Sequence, residues 1–321
     1  GDQRYVLQRI CSKLFGGGGS SPLGDKRKIS DADEQPQAKQ CKRNFTELIS
    51  EDHARYFLSL TDKEVKDQFW DVSDDVSEDG KKRDIVEHAK MVRAYCVHAL
   101  ANGGKTDVTY KFSRAVQHGG HTGRLFAMIA ALQAMQGKVR AFLCGGKVKD
   151  LDMINAHLVL LLQWAKDELK GAAACPRLEE YVSSRKAVLR DHRLTKRQVL
   201  IALNCDELAT SKKAAGEGSG SFYTKNTWLK SFWAEKDKLV RTLHARLSAE
   251  DGYNFAVTNE SNEYSSWMNK VLCRLENECL QKVVSHFGDA VHSLIFDGLH
   301  VDTSAGINID QLNALTAPVR W

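Results

Sequence analysis

The sequence has little of what marks membrane-spanning or secreted proteins. Its 321 residues include only 4 prolines. No apolar run reaches the roughly 18 residues that a membrane-spanning helix needs. The best candidate, residues 158–164, is cut short by Asp152 and Lys166. The first apolar patch is short and carries basic residues, so no secretory signal is expected. The sequence therefore predicts a protein with no membrane partner.

The spacing of the cysteines also argues against a metal site and against a disulfide framework. No two cysteines are separated by two residues, and no histidine stands at zinc-ligand spacing from two of them. Scattered single thiols are typical of a reducing compartment, the cytosol or nucleus. We expect buried or incidental thiols at all eight positions: Cys11, Cys41, Cys96, Cys144, Cys175, Cys205, Cys273 and Cys279.

The net charge is +5, from 46 Lys+Arg against 41 Asp+Glu, and most of it lies near the N-terminus. Residues 1–44 hold 9 basic and 5 acidic residues, which leaves 37 against 36 for residues 45–321. The larger part of the chain is therefore almost neutral. A nucleic-acid groove there would have to come from the local arrangement of basic side chains.

The first 44 residues have the composition of an attached peptide followed by a disordered tail. In residues 1–15, Val6, Ile10 and Leu14 recur at helical spacing, which predicts an amphipathic helix that needs a partner surface. The Gly/Ser run that follows is typical of a flexible linker. We interpret residues 1–15 as a piece of a partner protein or of a distant part of the same protein; a natural Gly-rich tail is the alternative.

The tail within residues 16–44 also carries a candidate targeting signal. Residues 26–28 and 39–43 are two basic clusters with the spacing of a bipartite nuclear import signal. A solvated tail is the simpler interpretation. We predict a nuclear protein, or otherwise a cytoplasmic one.

Residues 45–104 are predicted to form a helical region. One helical face is expected to carry Phe45, Leu48, Ile49, Phe57 and Leu58, and a second helix is expected over residues 85–100. From residue 105 to 321 we predict a second region in which helices alternate with short strands. The expected elements are an edge strand at 108–112, a helix at 125–132 and very apolar strands at 148–153 and 293–301.

The two apolar strands carry the acids of greatest interest. Strand alternation would place Asp150 and Asp152 on one face, directly before a helix with Ile154, Leu158 and Leu161 buried. Asp297 stands alone in its apolar run, and an unpaired carboxylate in a buried strand is costly. Asp297 and the glycine after it would form a hairpin turn, or Asp297 would join the first two acids around metal ions. The second arrangement is the two-metal site of nucleotidyl transfer.

Basic residues accompany these acids, and each alone is most simply a solvated surface residue. Together they could contact phosphates, with arginine making bidentate contacts and lysine acting as a point charge. They are Arg124, Arg140, Arg185, Arg193, Lys196 and Arg197.

These motifs resemble the family A-like polymerase core of replication proteins, the primase-helicases and DNA polymerases of large DNA viruses and mobile elements. The resemblance covers residues 105–317, and its most specific part is the D-x-D-x-x-N-x-H block at 150–157. It implies an α+β, predominantly helical fold with a small antiparallel palm-like sheet surrounded by helices. It also implies Mg2+ or Mn2+ and a DNA or RNA template. The implied catalytic residues are Asp150, Asp152 and Asp297, with Asp152 and Asp297 as metal ligands. The implied nucleotide or nucleic-acid ligands are Arg124, Gln133, Arg140, Asn155, His157, Arg185, Lys196 and Arg197.

The sequence also departs from this pattern, which keeps a second interpretation open. Leu158 stands where a proline is expected, a glycine rather than a second acid follows Asp297, and the motor motif G-x-x-x-x-G-K-[ST] is absent. The alternative is an inactive, palm-derived scaffold for nucleic acid, or for a partner helix such as residues 1–15. In that case the aromatic and basic segment 223–241 would stack on single strands. Its simpler interpretation is a packed helix with Trp228, Phe232 and Leu239 in the core.

Overall fold

A computed structural model describes residues 43–70, 84–112, 123–170, 174–208, 225–250, 252–255 and 260–321. Two compact units divide these residues: one holds 43–70, 84–112 and 126–149, and the other holds 123–125 and those described from 150 onward. The predicted fold class is confirmed, since the chain is predominantly helical with two small antiparallel sheets of three strands. The predicted peptide 1–15, the Gly/Ser linker and the first basic cluster lie outside the described residues.

The first unit combines helices with the sheet β1-β2-β3. Strands β1 and β2 are antiparallel, with Arg43 opposite Tyr110 and Leu48 opposite Lys105. β2 is central, so the prediction of an edge strand is wrong; an alternating pattern reports one buried face, which both kinds of strand have. The elements are β1 (Arg43–Leu48), α1 (Glu51–Ser59), α2 (Asp62–Phe69), α3 (Ile85–Ala101), β2 (Lys105–Phe112), β3 (Leu125–Ala127), a 3-10 turn (Leu132–Ala134) and α4 (Gly137–Cys144).

Two helix predictions in this unit are wrong because strand pairing competes with helical spacing. Phe45 and Leu48 lie in β1, and Arg43, placed by prediction in the disordered tail, begins that strand. The predicted helix at 125–132 is instead β3 followed by a bend, where the Met128 N–H donates to the Thr109 carbonyl at 2.9 Å. Short apolar runs fit both the helical and the strand period, and pairing with a neighbouring strand decides which structure forms.

The predicted helix at 85–100 is confirmed as α3. The Asp84 side chain accepts hydrogen bonds from two first-turn N–H groups, and the chain leaves the helix through Gly103 and Gly104 at φ of 64° and 78°. A Cβ on Gly104 would lie 2.7 Å from the Ile49 carbonyl oxygen. The glycine therefore permits both the left-handed turn and the close approach of β1 and β2.

The second unit packs six helices and three strands in its described part. α8 packs against α6, α7 and α9, and α9 also packs against α5. The elements are β4 (Val148–Asp152), α5 (Ala156–Leu169), α6 (Pro176–Asp191), α7 (Lys196–Leu203), α8 (Thr227–Leu247), α9 (Glu263–Phe287), β5 (Val291–Ile295), β6 (Gly298–Asp302) and α10 (Ile309–Leu315); the first two residues of β4 belong to the first unit.

The aromatic segment beginning before α8 is a packed helix in its described part. Trp228, Phe232 and Leu239 are all buried, and the rings of Trp228 and Phe232 stack on each other. Trp233 is half-buried, and its indole N–H donates to the Cys205 carbonyl at 3.0 Å. The alternative prediction, in which these rings stack on single strands, is therefore wrong for Trp228 and Phe232.

The second sheet has the order β4-β6-β5. The predicted strand at 148–153 is confirmed as β4, but the run at 293–301 is two antiparallel strands rather than one. Phe296 and Asp297 form the two-residue turn between them, with Phe296 at φ of 52°. The prediction of a turn at Asp297 and Gly298 was one residue too late, because Gly298 already pairs with Ile295.

Candidate functional site

β4 presents Asp150 and Asp152 on the same side of the sheet. Both side chains are exposed, whereas Leu151 between them is buried, as strand alternation requires. Asn155 then turns the chain at φ of 55°, and α5 begins at the next residue. Ile154 precedes the helix and is 46% exposed, so the prediction that it is buried is wrong. The strand therefore places two carboxylates shortly before the start of α5.

The turn at Asp297 lies against the end of β4. The Met153 N–H donates to the Asp297 carbonyl at 3.1 Å, which joins the residue directly after β4 to the hairpin turn. A Cβ on Gly298 would lie 2.5 Å from the Leu151 carbonyl oxygen and 3.2 Å from Asp152 Oδ1. Glycine at position 298 therefore permits the close approach of β4 and β6. It is needed because it lacks a Cβ, and not because of a positive φ. Asp152 and Asp297 belong to adjacent elements at one end of the sheet.

This donor set fits a magnesium ion that also binds substrate. Asp152 is exposed and Asp297 is half-buried. Mg2+ in nucleotide sites is held by one or two carboxylates together with substrate phosphates and water. Within the described ranges, no group of three or more His, Cys, Asp or Glu side chains is arranged to hold a metal ion. The metal role of these two carboxylates stays a prediction.

Asp150 is linked to the centre of the sheet through a buried histidine. His300 Nε2 lies 3.8 Å from Asp150 Oδ1, and His300 Nδ1 lies 2.9 Å from the Ser293 hydroxyl on the neighbouring strand. Ser293 and His300 are cross-strand partners and both are buried. The sequence analysis did not single out His300, because it stands in an apolar run without a second functional residue beside it.

A buried ionic cluster lies beside the hairpin turn. Glu276 in α9 accepts hydrogen bonds from Arg124 Nε at 2.6 Å and Nη2 at 2.8 Å, and His157 Nε2 lies 3.1 Å from Glu276 Oε2. The Arg124 guanidinium also lies 5.7 Å from the centre of the Phe296 ring. Arg124 and His157, both predicted nucleotide or nucleic-acid ligands, are therefore brought together by a carboxylate that the sequence analysis missed.

The charges of this cluster stabilise one another. Burial alone would lower the pKa of His157, but hydrogen bonds with Cys273 and Glu276 outweigh it and raise the pKa to about 9. Burial would likewise raise the pKa of Glu276, yet the hydrogen bonds from His157 and Arg124 hold it below its ordinary value. The pKa of Arg124 is raised, because its pairing with Glu276 outweighs its burial. At neutral pH the cluster holds two cations and one anion.

Asn155 and Arg185 also meet, although they lie on different elements. Arg185 Nη1 donates to Asn155 Oδ1 at 2.6 Å, from the half of α6 that follows a kink at Ser184. The hydrogen bond connects α6 to the residue that turns the chain after β4. These two predicted nucleic-acid ligands are thus held next to the acidic end of the sheet.

Lys196 and Arg197 occupy the first turn of α7 and are exposed. Thr195 and Gln198 form a capping box at this end of the helix. Two cations at a helix N-terminus are unfavourable for the helix dipole, so their placement does not serve the stability of α7. Their role as phosphate ligands stays a prediction.

Gln133 and Arg140 belong to the first unit and have partners there. The Gln133 side-chain oxygen accepts from the Ala127 N–H at 3.0 Å, and Arg140 Nη1 donates to the Met135 carbonyl at 3.3 Å. Gln133 is 5% exposed. The first hydrogen bond closes the bend after β3, so Gln133 has a structural role, and its nucleotide contact stays a prediction.

The first unit also contains a buried acid that the sequence analysis missed. Glu47 in β1 is fully buried and accepts hydrogen bonds from the hydroxyls of Tyr95 and Tyr110 and from the Leu132 N–H, at 2.7–3.0 Å. Burial raises the pKa of Glu47 to about 7, against the opposing effect of those hydrogen bonds. Glu47 therefore ties β1, β2 and α3 together, and no local sequence signal distinguishes it from a surface residue.

The expectation of incidental thiols is confirmed for most of the cysteines in the described ranges. All six are free, and five of them are buried. Cys273 is the half-buried exception, whereas Cys11 and Cys41 lie outside the described residues. No helix within those ranges has the length and apolar character to cross a membrane.

Comparison with known proteins gives one distant relative. No protein-family model and no solved structure matches the chain. The chain is similar to a Sputnik virophage protein named "Putative helicase V13", with 28% identity over 206 residues. The similar region is 58% of this chain and 24% of the virophage protein, so the chain spans about a quarter of that relative's length. The predicted relation to viral proteins is supported by this similarity.

Proposed function

We propose that this chain is a nucleic-acid-binding protein with a polymerase-like core, and that the core performs template-dependent nucleotidyl transfer with Mg2+. The proposal rests on one observation: β4 lies beside the β5–β6 turn. The Met153 N–H donates a hydrogen bond to the Asp297 carbonyl and connects the two. Two carboxylates from distant parts of the sequence thereby share one end of a sheet. The similarity to a virophage protein named as a helicase supports a nucleic-acid partner.

Asp152 and Asp297 would hold the metal ions, and Asp150 would assist from the same face of β4. When bound, the ions would supply charge stabilisation for the attacking and leaving oxygens of the phosphoryl group. The protein's own part would be to fix the carboxylates through the β4–β6 contact at Gly298. Mn2+ would serve in the same place, since it shares the preference of Mg2+ for oxygen ligands.

The proposed nucleic-acid ligands of the second unit divide into three groups in this proposal. Lys196 and Arg197 are exposed on α7 and would contact the triphosphate or the template. Arg124 and His157 are engaged by Glu276, so they would act as an anchored positive charge beside Asp297, not as a freely moving clamp. Asn155 and Arg185 would orient the chain that leads from β4 into α5.

Primer extension with Mg2+ or Mn2+ tests the catalytic part. We expect the wild-type chain to extend an annealed primer, and Asp152→Asn and Asp297→Asn to lose at least about a hundredfold in rate, as loss of charge stabilisation typically costs. Asp310→Asn is the matched control, because Asp310 is an exposed acid in the first turn of α10 in the same unit. Equal rates for all four proteins would refute the proposed site.

Metal binding gives a readout that does not depend on activity. In electron paramagnetic resonance, the signal of free Mn2+ should decrease when wild type or Asp310→Asn is added. It should stay close to its starting height when Asp297→Asn is added instead. Binding that is unchanged by Asp152→Asn and Asp297→Asn would place the metal elsewhere.

The second candidate is an inactive scaffold derived from the same core. The glycine at 298, where many polymerases have a second acid, is the observation that favours it. A chain that extends no primer, yet binds single-stranded DNA equally well with and without Asp297→Asn, would support the scaffold. In either case we propose that residues 1–15 bind a protein surface and that residues 26–43 direct nuclear import. A fluorescent-protein fusion with and without the two basic clusters tests the import signal.

A further inference from the structure

His300 is a buried polar residue in the central strand of the second sheet. It is 2% exposed, and its neighbours along β6, Leu299 and Val301, are buried apolar residues. Burying an imidazole costs free energy unless its nitrogens find partners. An apolar side chain would serve the packing of β6 at least as well, so packing alone does not account for a histidine at this position.

One ring nitrogen of His300 is held by the neighbouring strand. Nδ1 lies 2.9 Å from the Ser293 hydroxyl, and Ser293 is fully buried as well. The register of β5 and β6 shifts between Val291 and Ser293, so that Ser293 stands opposite His300. Bulges of this kind are common next to functional sites, where they re-aim a side chain. The contact with Ser293 fixes the orientation of the imidazole ring.

The other ring nitrogen of His300 faces the acidic strand. Nε2 lies 3.8 Å from Asp150 Oδ1, which is close enough for charge–dipole attraction but too long for a direct hydrogen bond. Two residues earlier on the same face of β6, Gly298 packs against Asp152 without a side chain. The two acids of β4 therefore have different neighbours: Asp150 faces an imidazole, and Asp152 faces bare backbone.

Ser293, His300 and Asp150 have the residue types of a hydrolytic triad but not its geometry. A nucleophilic serine has to reach the substrate, whereas Ser293 is fully buried. The Asp150 side chain is 55% exposed, against 3% for the side chain of His300. An effect of Ser293 or His300 on a bound ion must therefore pass through Asp150.

We propose that His300, oriented by Ser293, is a positioning residue for Asp150. It holds the Asp150 carboxylate beside Asp152, on the side of the sheet where the metal would bind. The inference rests on the proposed magnesium site and adds to it two residues that touch neither metal nor substrate. Groups that orient the ligands of a metal commonly act in this way, and the loss of one typically weakens metal binding about 10- to 100-fold.

Mn2+ binding to the full chain, followed by electron paramagnetic resonance, tests this role. His300→Phe keeps an aromatic ring in the sheet but removes both nitrogens, and we expect it to weaken Mn2+ binding about tenfold. His292→Phe is the matched control, because it makes the same change on the edge strand β5, where His292 lies 3.4 Å from Asp302. The control should bind Mn2+ as wild type does. Circular dichroism checks that each variant is folded.

A double-mutant cycle separates positioning from a general structural effect. If His300 acts through Asp150, His300→Phe should weaken Mn2+ binding by less than about twofold in a chain that already carries Asp150→Asn. A loss of the same size with and without Asp150→Asn would overturn the inference. So would a loss in His300→Phe that is no larger than the loss in His292→Phe.

Asp152→Asn distinguishes failure of this inference from failure of the proposed function. If Asp152→Asn weakens Mn2+ binding and His300→Phe does not, the metal site stands and the role of His300 falls. If wild type binds no Mn2+, or if Asp152→Asn leaves binding unchanged, both fall together.

Ser293→Ala replaces His300→Phe if the latter does not fold. It leaves the imidazole in place and removes the hydroxyl that orients it. We then expect a loss of Mn2+ affinity of about threefold, the value of one neutral hydrogen bond, and this loss should disappear when Asp150→Asn is present. Unchanged binding by the folded Ser293→Ala chain would in that case overturn the inference.

Discussion

Replacing Glu276 with glutamine should destabilise the second unit strongly. The Glu276 side chain is 1% exposed and is the carboxylate that pairs with both Arg124 and His157. Glutamine keeps the size but removes the charge, which leaves two cations partly buried without their anion. Breaking a buried ion pair typically costs about 3–5 kcal/mol. The Arg124 side chain is 28% exposed and keeps some hydration, so we expect about 3 kcal/mol.

The pH dependence of stability provides a second test of the role of Glu276. The pKa of His157 is raised to about 9 in the folded chain, so the folded state binds this proton more tightly than the unfolded state. The resulting stabilisation is complete below about pH 6.5, the ordinary pKa of histidine, and is lost as the pH rises through 9. It amounts to about 3 kcal/mol for a rise of this size. Glu276→Gln should remove most of this decline.

Urea unfolding followed by tryptophan fluorescence at pH 6 and pH 9.5 measures both effects. Glu278→Gln is the matched control, since Glu278 is 58% exposed on the same helix and pairs only loosely with Arg274, at 3.7 Å. We expect the control to lose less than about 0.5 kcal/mol. A loss of stability in Glu276→Gln no larger than in the control, or an undiminished fall between the two pH values, would refute the role assigned to Glu276.

Three further predictions concern the two sheets and the buried acid of the first unit. Gly298→Ala should cost at least about 2 kcal/mol in urea unfolding and abolish Mn2+ binding, because its Cβ would meet a carbonyl of β4, whereas Gly306→Ala has open space and should be near neutral. Gly104→Ala should cost more than Gly103→Ala by about 1–2 kcal/mol, because both have positive φ but only Gly104 faces a carbonyl oxygen. The raised pKa of Glu47 means that the folded state holds the proton, so its contribution to stability should fall by about 3 kcal/mol as the pH rises from 4.5 to 7. Glu47→Gln should flatten that fall in thermal melts, and an unchanged pH profile would contradict the assignment.

The parts of the fold that the sequence predicts correctly are those with local signals. The helical spacing of apolar residues over 85–100 marks α3, and two acids around Leu151 mark β4 as a strand with one exposed face. Phe45 and Phe126 were assigned to helices because their strands are short and owe their form to pairing with β2. The period of a few apolar residues carries too little information to decide between the two structures.

The sequence points to the acids of the candidate site but not to the residues that surround them. Asp152 and Asp297 stand out because a charge in an apolar strand needs an explanation. Glu276 lies in a helix of 25 residues with several polar neighbours, so its burial depends on how α9 packs. Glu47 and His300 are similar, since their partners are distant in sequence and only the tertiary structure brings them together.

The order of strands in the second sheet has a consequence for the order of folding. β4 pairs with β6 although α5 to α9 lie between them in sequence, so this pairing closes a very long loop. Loop closure is slow when contacts are far apart in the chain, while helices and the β5–β6 hairpin can form locally. We expect the helices to assemble first and β4 to dock late. Asp152 and Asp297 would then meet only in the last step, so a partly folded chain with all its helices in place would still lack the acidic site.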